Sequence, residues 1–267
     1  MRRVGLDVVE LGLDDPWGDR SGDLRAVVAV GGDGTVRAVA GRLAGGNVPM
    51  AIVPAGTENL AARAFGFCVD AGRLAGAVLG GAIRRVDLGV IRRAGMPEHT
   101  FVVMASAGFD ADVVVALHAA RRGPISHASY LAPIGATAWR WRAPEVTVAR
   151  TGGQPMRCRG GLVIANAPEY ALRLNPARQA DPSDGLLDAV SLRCRTAAGV
   201  VGWLARLAVS GPGAGASLGR DRGWRLRWDR PVYLQADGDP VPGGPTVEAD
   251  VAVLPGALPM VDMRPAA

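Results

Sequence analysis

The sequence predicts an α/β protein in two parts, a parallel α/β region followed by a larger, mainly antiparallel β-rich region. Three observations carry that expectation. Two short apolar runs, "AVVAV" at 26–30 and "MAIVP" at 50–54, each lead into a glycine-containing turn and a helix-like stretch. From about residue 89 the pattern changes to apolar and polar residues alternating in one short segment after another. Of the 267 residues 49% are hydrophobic and 21% charged, a composition that buries a real core in one large or two modest domains.

Each element follows from its own pattern. A continuous apolar run of this length is the signature of a strand buried on both faces. Between the two runs "TVRAVAGRLAGG" has helical spacing and stops on a glycine pair, which predicts a helix from about Thr35. Strand, helix, strand, helix implies parallel neighbours joined by a right-handed crossover. Both glycine turns then fall at the C-terminal edge of the sheet, where open α/β sheets bind ligands. Beyond "IRRVDLGVIRR", the segments "HTFVVMASAGF", "EVTVAR", "GGLVIANAP", "LLDAVSLRC", "WRLRWDRPVYLQADGD" and "TVEADVAVLPG" read as strands. Helix-like stretches interrupt them near 110–121, 127–142 and 197–209. In "WRLRW" the alternation turns Trp224, Leu226 and Trp228 toward the core and Arg225 and Arg227 outward, to solvent or to an anionic surface.

Composition removes several function classes. The net charge of +5 favours anionic partners. All 30 basic residues are arginine, so chemistry that needs an ε-amine is excluded: a Walker lysine, the lysine of a protein kinase, a pyridoxal Schiff base. Cys68, Cys158 and Cys194 are too scattered for a disulfide framework or a CxxC knuckle and read as small core residues. His99, His118 and His127 lack HExxH spacing, and His118 reads as a packing residue in a helical apolar run. With few aromatics and no recognisable module, nucleic-acid binding is not expected. "MRRVGLDVVELGL" lacks the apolar core of a signal peptide, and the apolar stretch 197–211 is too short to span a bilayer and contains Arg206, so the expectation is a cytoplasmic protein.

The two turns carry the chemistry. Gly31, Gly32 and Gly34 allow the backbone to approach a ligand, and the helix that follows offers free N–H groups. The turn is neither GxGxxG nor GxxxxGK[ST]. Asp33 sits inside it, where a carboxylate is repelled by phosphate unless a divalent cation lies between them or the carboxylate faces an incoming hydroxyl; both point to phosphoryl transfer. An ordinary turn aspartate is the alternative. In "PAGTENLAAR", Gly56 permits a tight turn, Thr57 offers a hydroxyl or a helix cap, and Asn59 an amide. In "DPSDGL", two acids and a carbonyl in one turn suit a hard cation or form an Asx-rich surface turn, and "DGD" at 237–239 reads by itself as a hairpin.

Taken together, "GGDGT" at 31–35 and "PAGTENLAAR" at 54–63 resemble the two nucleotide-site signatures of the diacylglycerol kinase catalytic family, which includes bacterial lipid kinases, sphingosine kinases and ceramide kinase. The likeness continues through "VDLGVI", "ASAGFDADV", "VIANAPEY", "DPSDGLLDAV" and "QADGDPV". It implies a nucleotide-binding α/β domain over 1–88, a β-rich lipid-substrate domain over 89–250, a carboxy-terminal strand over 251–267 returning to the first, and an active site in the cleft between them. The implied activity is transfer of the γ-phosphate of ATP, with Mg²⁺, to a lipid hydroxyl, diacylglycerol first. Gly31, Gly32, Asp33, Gly34, Thr35, Gly56, Thr57 and Asn59 match the nucleotide site. Asp33 would organise the catalytic magnesium, and Asp237 and Asp239 match the acidic pair that includes the base. Asp181, Asp184 and the carbonyl of Leu186 match a structural magnesium site, and Arg63 is placed to supply fixed positive charge. The implied partners are a membrane lipid, met by peripheral contact with the membrane, and a second copy in a homodimer. The sequence departs from the family in three places. Arg37 and Ala38 stand where a Glu is usual, Asp239 stands where the family has Glu, and an opening strand ending in Asn-Pro with its helix has no counterpart, "GLDVVELGL" resembling the second strand.

Overall fold

The computed structural model describes residues 6–15, 24–120, 134–135, 137, 141–170, 173, 175–192, 194–196, 198–199, 202 and 216–264. In chain order the elements are β1 (Val27–Gly31), α1 (Asp33–Leu43), β2 (Met50–Pro54), α2 (Leu60–Phe65), α3 (Ala71–Gly80), β3 (Ile83–Arg92), β4 (His99–Phe101), β5 (Met104–Ala107) and α4 (Phe109–Ala120). They continue with β6 (Glu145–Arg150), β7 (Met156–Arg159), β8 (Gly161–Ala165), β9 (Leu187–Leu192), β10 (Ala216–Asp221), β11 (Gly223–Val232), β12 (Leu234–Ala236), β13 (Asp239–Pro240) and β14 (Thr246–Val261).

The two apolar runs form the parallel pair β1 and β2, with Val27 opposite Met50 and Gly31 opposite Pro54. They enter an eight-stranded sheet in the order β1-β2-β14-β11-β6-β7, with β3 paired to β14 and β4. Strand β14 joins the two regions. One of its edges runs along β3, while the other is shared by β11 and, at Met260 opposite Met50, by β2 in parallel. Residues 88/89 and 250/251 both fall inside strands, β3 and β14. The second sheet is antiparallel throughout, in the order β10-β9-β8-β5-β12-β13.

Two apolar cores follow from this arrangement. One packs α1, α2 and α3 against β1 and β2, with Ile52, Leu60, Phe65 and Leu74 fully buried or nearly so. The other lies between the faces of the two sheets and contains Trp224, Leu226 and Trp228 from β11 with Leu162 and Ile164 from β8. The predicted alternation along β11 holds: the outward Arg225 and Arg227 pair across the strands with Asp250 and Glu248.

Several expectations are corrected. Helix α1 begins at Asp33 rather than Thr35, because Gly32 already has the extended backbone of a cap. Residues 6–13 form no strand, and among the described residues β1 has a pairing partner on one side only. "HTFVVMASAGF" is two strands, broken at 102–103 where the amides turn to a side chain described below. Cys68 is exposed rather than in the core, Cys158 is partly buried and Cys194 is buried. His118 is exposed near the end of α4. Helix α3, capped by Asp70 on the Arg73 amide, was not foreseen. The stretches 127–142 and 197–209 lie largely outside the described residues. Among the described residues no helix is long and apolar enough to cross a membrane.

Candidate active site

The two glycine turns lie back to back. A Cβ built on Gly56 would come within 2.5 Å of the Gly32 Cα, and one on Gly31 would meet the Thr35 Oγ1 at 2.5 Å. Only glycine lets backbones approach so closely. Gly56→Ala is therefore expected to push the turns apart and to lower stability by about 1–3 kcal/mol, read as a drop in Tm. The second turn is closed by Asn59, in the left-handed region at φ 51, whose Oδ1 accepts from Gly56 N at 2.8 Å and whose Nδ2 donates to Gly56 O at 2.7 Å. Asn59, not Thr57, occupies the cap position of α2, and Thr57 is exposed at the mouth of the turns.

Asp33 belongs to both turns. Its Oδ1 accepts the Ala61 N–H at 2.9 Å, so the carboxylate of the first turn sits on the free amides that open the second helix. Burial pushes its pKa up, while the amides of Ala61 and Leu60 and the charge of Arg63 pull the other way. Arg63 is itself committed. It pairs with Glu169 at 2.9 Å and Glu58 at 3.6 Å and donates to the carbonyls of Glu58 and Tyr170. Arg63 thus ties α2 to the "NAPEY" segment while its charge still acts on Asp33.

The acidic pair arrives from far down the chain. Asp237 lies at the turn between β12 and β13, at φ 50 and almost fully buried. Its carboxylate accepts three backbone N–H groups, Val102 at 2.7 Å, Val103 at 2.8 Å and Met104 at 3.0 Å. This is why the strand over 99–107 is interrupted. Burial raises the Asp237 pKa to about 6 against the pull of those amides, with the nearby Asp33 charge adding to the rise. Asp239 behaves differently. It is partly exposed, its Oδ2 pairs with Arg37 Nη2 at 3.2 Å, and a Cβ on Gly34 would come within 2.3 Å of that same oxygen. The first glycine turn is therefore laid directly against the Asp239 carboxylate.

The sequence reading missed the supports of this site. Arg37 stands one helical turn beyond Asp33 on α1, a spacing that places both on one helix face. His99 on β4 is held near Arg37, Arg93 and Asp239, and burial followed by the two arginines lowers its pKa to about 4, so it is neutral. A buried chain of hydrogen bonds fixes the acid turn from behind. The Gly238 N–H donates to Gln235 Oε1 at 2.9 Å, Gln235 Nε2 donates to Ser106 Oγ at 2.7 Å, and Ser106 Oγ and the Tyr170 hydroxyl donate to Asp110 Oδ2 at 2.5 and 3.2 Å. No local pattern announces such a chain, because its members come from β5, α4, β12 and the loop at 170.

Asp33, Gly34, Asp237 and Asp239 thus meet in one place, with Gly31, Gly32, Thr35, Gly56, Thr57 and Asn59 in the two turns beside them. Asp181, Asp184 and Leu186 lie elsewhere, in the turn before β9. No cluster of three or more potential metal ligands occurs among the described residues, but the acids of the main site are hard oxygen donors of the kind that a magnesium ion travelling with a nucleotide would take. The turn before β9 does not fit a cation, because Arg220 already donates to Asp184 there.

Comparison with known proteins agrees with this architecture. Residues 19–91 match the family described as the diacylglycerol kinase catalytic domain. The chain is 31% identical over 248 residues to a probable lipid kinase, YegS-like, of Pseudomonas aeruginosa, covering 87% of this chain and 74% of that protein. It is 32% identical over 198 residues to a diacylglycerol kinase of Mycobacterium tuberculosis, covering 70% of this chain and 63% of that relative's length. A crystal structure of a diacylglycerol kinase from Bacillus anthracis superposes with a TM-score of 0.64 at 15% identity, over 92% of this chain and 79% of that one, which shows a shared fold. The chain belongs to the diacylglycerol kinase family of lipid kinases.

Proposed function

We propose that the protein is an ATP-dependent lipid kinase that transfers the γ-phosphate to a lipid hydroxyl, most favourably that of diacylglycerol, yielding phosphatidic acid. The observation that carries this reading is the seating of Asp239 on Gly34, beside Asp33: a carboxylate from the far end of the chain meets the turn suited to phosphates. The backbone of Gly31, Gly32, Gly34, Thr35, Gly56 and Thr57 would hold the triphosphate, with Asn59 bracing the second turn. Asp33 and Asp239 would hold the magnesium ion that accompanies ATP, and that ion supplies neutralisation of the phosphate charge.

The acid turn receives the lipid. Asp237, raised to about 6, is tuned as a general base near neutrality, and its Oδ2 accepts only one amide, leaving a lone pair for the hydroxyl proton. Asp239, held by Arg37, orients the acceptor or shares that role. Arg37 pairs directly with Asp239, and the charge of Arg63, which also pairs with Glu169 and Glu58, reaches Asp33. Lipid substrate implies peripheral contact of a cytoplasmic protein with a membrane surface.

The test is incubation of the chain with radiolabelled ATP, Mg²⁺ and mixed micelles of diacylglycerol, monoacylglycerol, ceramide and sphingosine, followed by separation of the lipids. Label in phosphatidic acid supports the reading, and label in a sphingoid lipid alone moves the substrate to the sphingosine or ceramide class. The Arg37–Asp239 pair favours one second reading, a nucleotide- or lipid-binding homologue with impaired catalysis, because the guanidinium occupies an oxygen of a candidate base. Binding of ATP with no labelled lipid of any class would select it.

A further inference from the structure

The turn before β9 is where the family resemblance puts a structural magnesium ion, yet its geometry supplies the positive charge from the chain itself. We propose that the Arg220 guanidinium takes the place of that ion, so that the turn carrying Asp181, Asp184 and Leu186 is held without metal. This goes beyond the kinase reading and does not depend on it.

Arg220 is aimed by its strand. A bulge between Ser217 and Gly219 shifts the register of β10 and sets Arg220 directly opposite Asp188 on β9, with Gly219 at φ 108 making the kink. From there its Nε donates to Asp188 Oδ2 at 3.2 Å and its Nη2 to Asp184 Oδ2. One planar fork therefore joins two carboxylates four residues apart, a use that suits guanidinium and not a point charge.

Two further acid oxygens of the turn are occupied as well. Asp181 Oδ1 accepts both the Ser183 N–H, at 3.0 Å, and the Ser183 hydroxyl, at 2.6 Å. Asp184 Oδ1 accepts the Leu186 N–H at 2.9 Å. A magnesium ion demands a near-octahedral set of oxygens at about 2.0–2.1 Å and would have to displace the arginine from Asp184 to obtain one.

The backbone of the turn has its own anchor. The buried Asp87 carboxylate takes the Gly185 N–H at 2.7 Å with one oxygen and the Gly256 N–H at 2.7 Å with the other. The Asp87 N–H donates to the Pro182 carbonyl at 2.7 Å. Turn, β3 and β14 are thus tied together by hydrogen bonds of the chain alone.

The test is thermal melting of the full chain, without nucleotide or lipid, in EDTA and in saturating Mg²⁺. The wild type is expected to melt at the same temperature in both. Arg220→Ala is expected to melt lower in EDTA and to regain several degrees with Mg²⁺ in a saturable way, because a ligand bound by the native state alone stabilises it. Adding Asp184→Asn to that variant should remove the gain. A saturable Mg²⁺-dependent rise in wild type that Asp184→Asn abolishes would overturn the proposal, as would an Arg220→Ala variant that folds but ignores Mg²⁺. Should Arg220→Ala fail to fold, Mn²⁺ binding followed by electron paramagnetic resonance on wild type decides. Bound Mn²⁺ lost in Asp184→Asn contradicts the proposal, and no Asp184-dependent binding supports it. Activity enters none of these readouts, so failure of the kinase reading leaves them unchanged.

Discussion

Asp33→Asn is expected to reduce lipid phosphorylation by about a hundredfold or more while leaving the fold in place. The two effects separate because of what the side chain touches. An asparagine Oδ1 can still accept the Ala61 N–H, so the link between the first turn and α2 survives. What disappears is the negative charge at the free amides of α2, worth about 0.3–1 kcal/mol in stability, and with it the anionic oxygen proposed to hold the cation that comes with ATP. Measured together, kcat on diacylglycerol micelles should collapse while Tm moves little. A near-normal rate in Asp33→Asn would remove Asp33 from the machinery and leave it a helix cap.

Asp237→Asn has a different expected signature, losing both rate and stability. The carboxylate serves three amides with two oxygens, and an amide side chain offers one acceptor, so at least one buried N–H of the 102–104 segment is left facing an NH₂. An unsatisfied buried donor costs about 1–3 kcal/mol, and loss of a general base costs about 10²–10⁴ in rate. The pH dependence adds a second check. Because burial raises the folded pKa of Asp237 to about 6, the native state holds the proton more tightly than the unfolded chain. Its contribution to stability is therefore favourable at low pH and is lost as pH rises through about 6. Activity runs the opposite way, since a base must be unprotonated, so kcat/KM should fall on the acid side of about pH 6. Asp112 and Asp188 are also raised to about 6 by burial, and the difference between wild type and Asp237→Asn isolates the share of Asp237 in the stability profile. A pH–rate profile with no limb near 6 would assign the base to another group, Asp239 first.

The part of the fold legible in the sequence is the part governed by local periodicity. Five apolar residues before a glycine turn gave β1 and β2, and strict alternation placed Trp224, Leu226 and Trp228 inside and Arg225 and Arg227 outside. Hydrogen bonds between distant residues leave no such trace. Nothing in "HTFVVMASAGF" says that its middle amides serve Asp237, so one strand was expected where there are two. The pairing of Arg63 with Glu169, more than a hundred residues away, is another such bond. The converse error is "GLDVVELGL", whose resemblance to the family's second strand implies a strand that residues 6–13 do not form. In the site, the glycines and acids could be named because the two motifs have few other uses, whereas Arg37, His99 and the chain from Gln235 to Asp110 depend on which elements become neighbours.

Strand β14 has a consequence for how the protein is made. It lies between β3 on one edge and β11 and β2 on the other, and it follows every other described strand in the sequence. The ribosome delivers the strands from β1 to β13 first, so the sheet that supports the glycine turns waits for its central strand until all of them have been made. Pairing this distant in sequence is slow, and open strand edges invite association with other chains in the meantime. A polypeptide released before Thr246 would keep the β1–β2, β3–β4 and β6–β11 pairs but leave β2, β3 and β11 each with one open edge at the same moment.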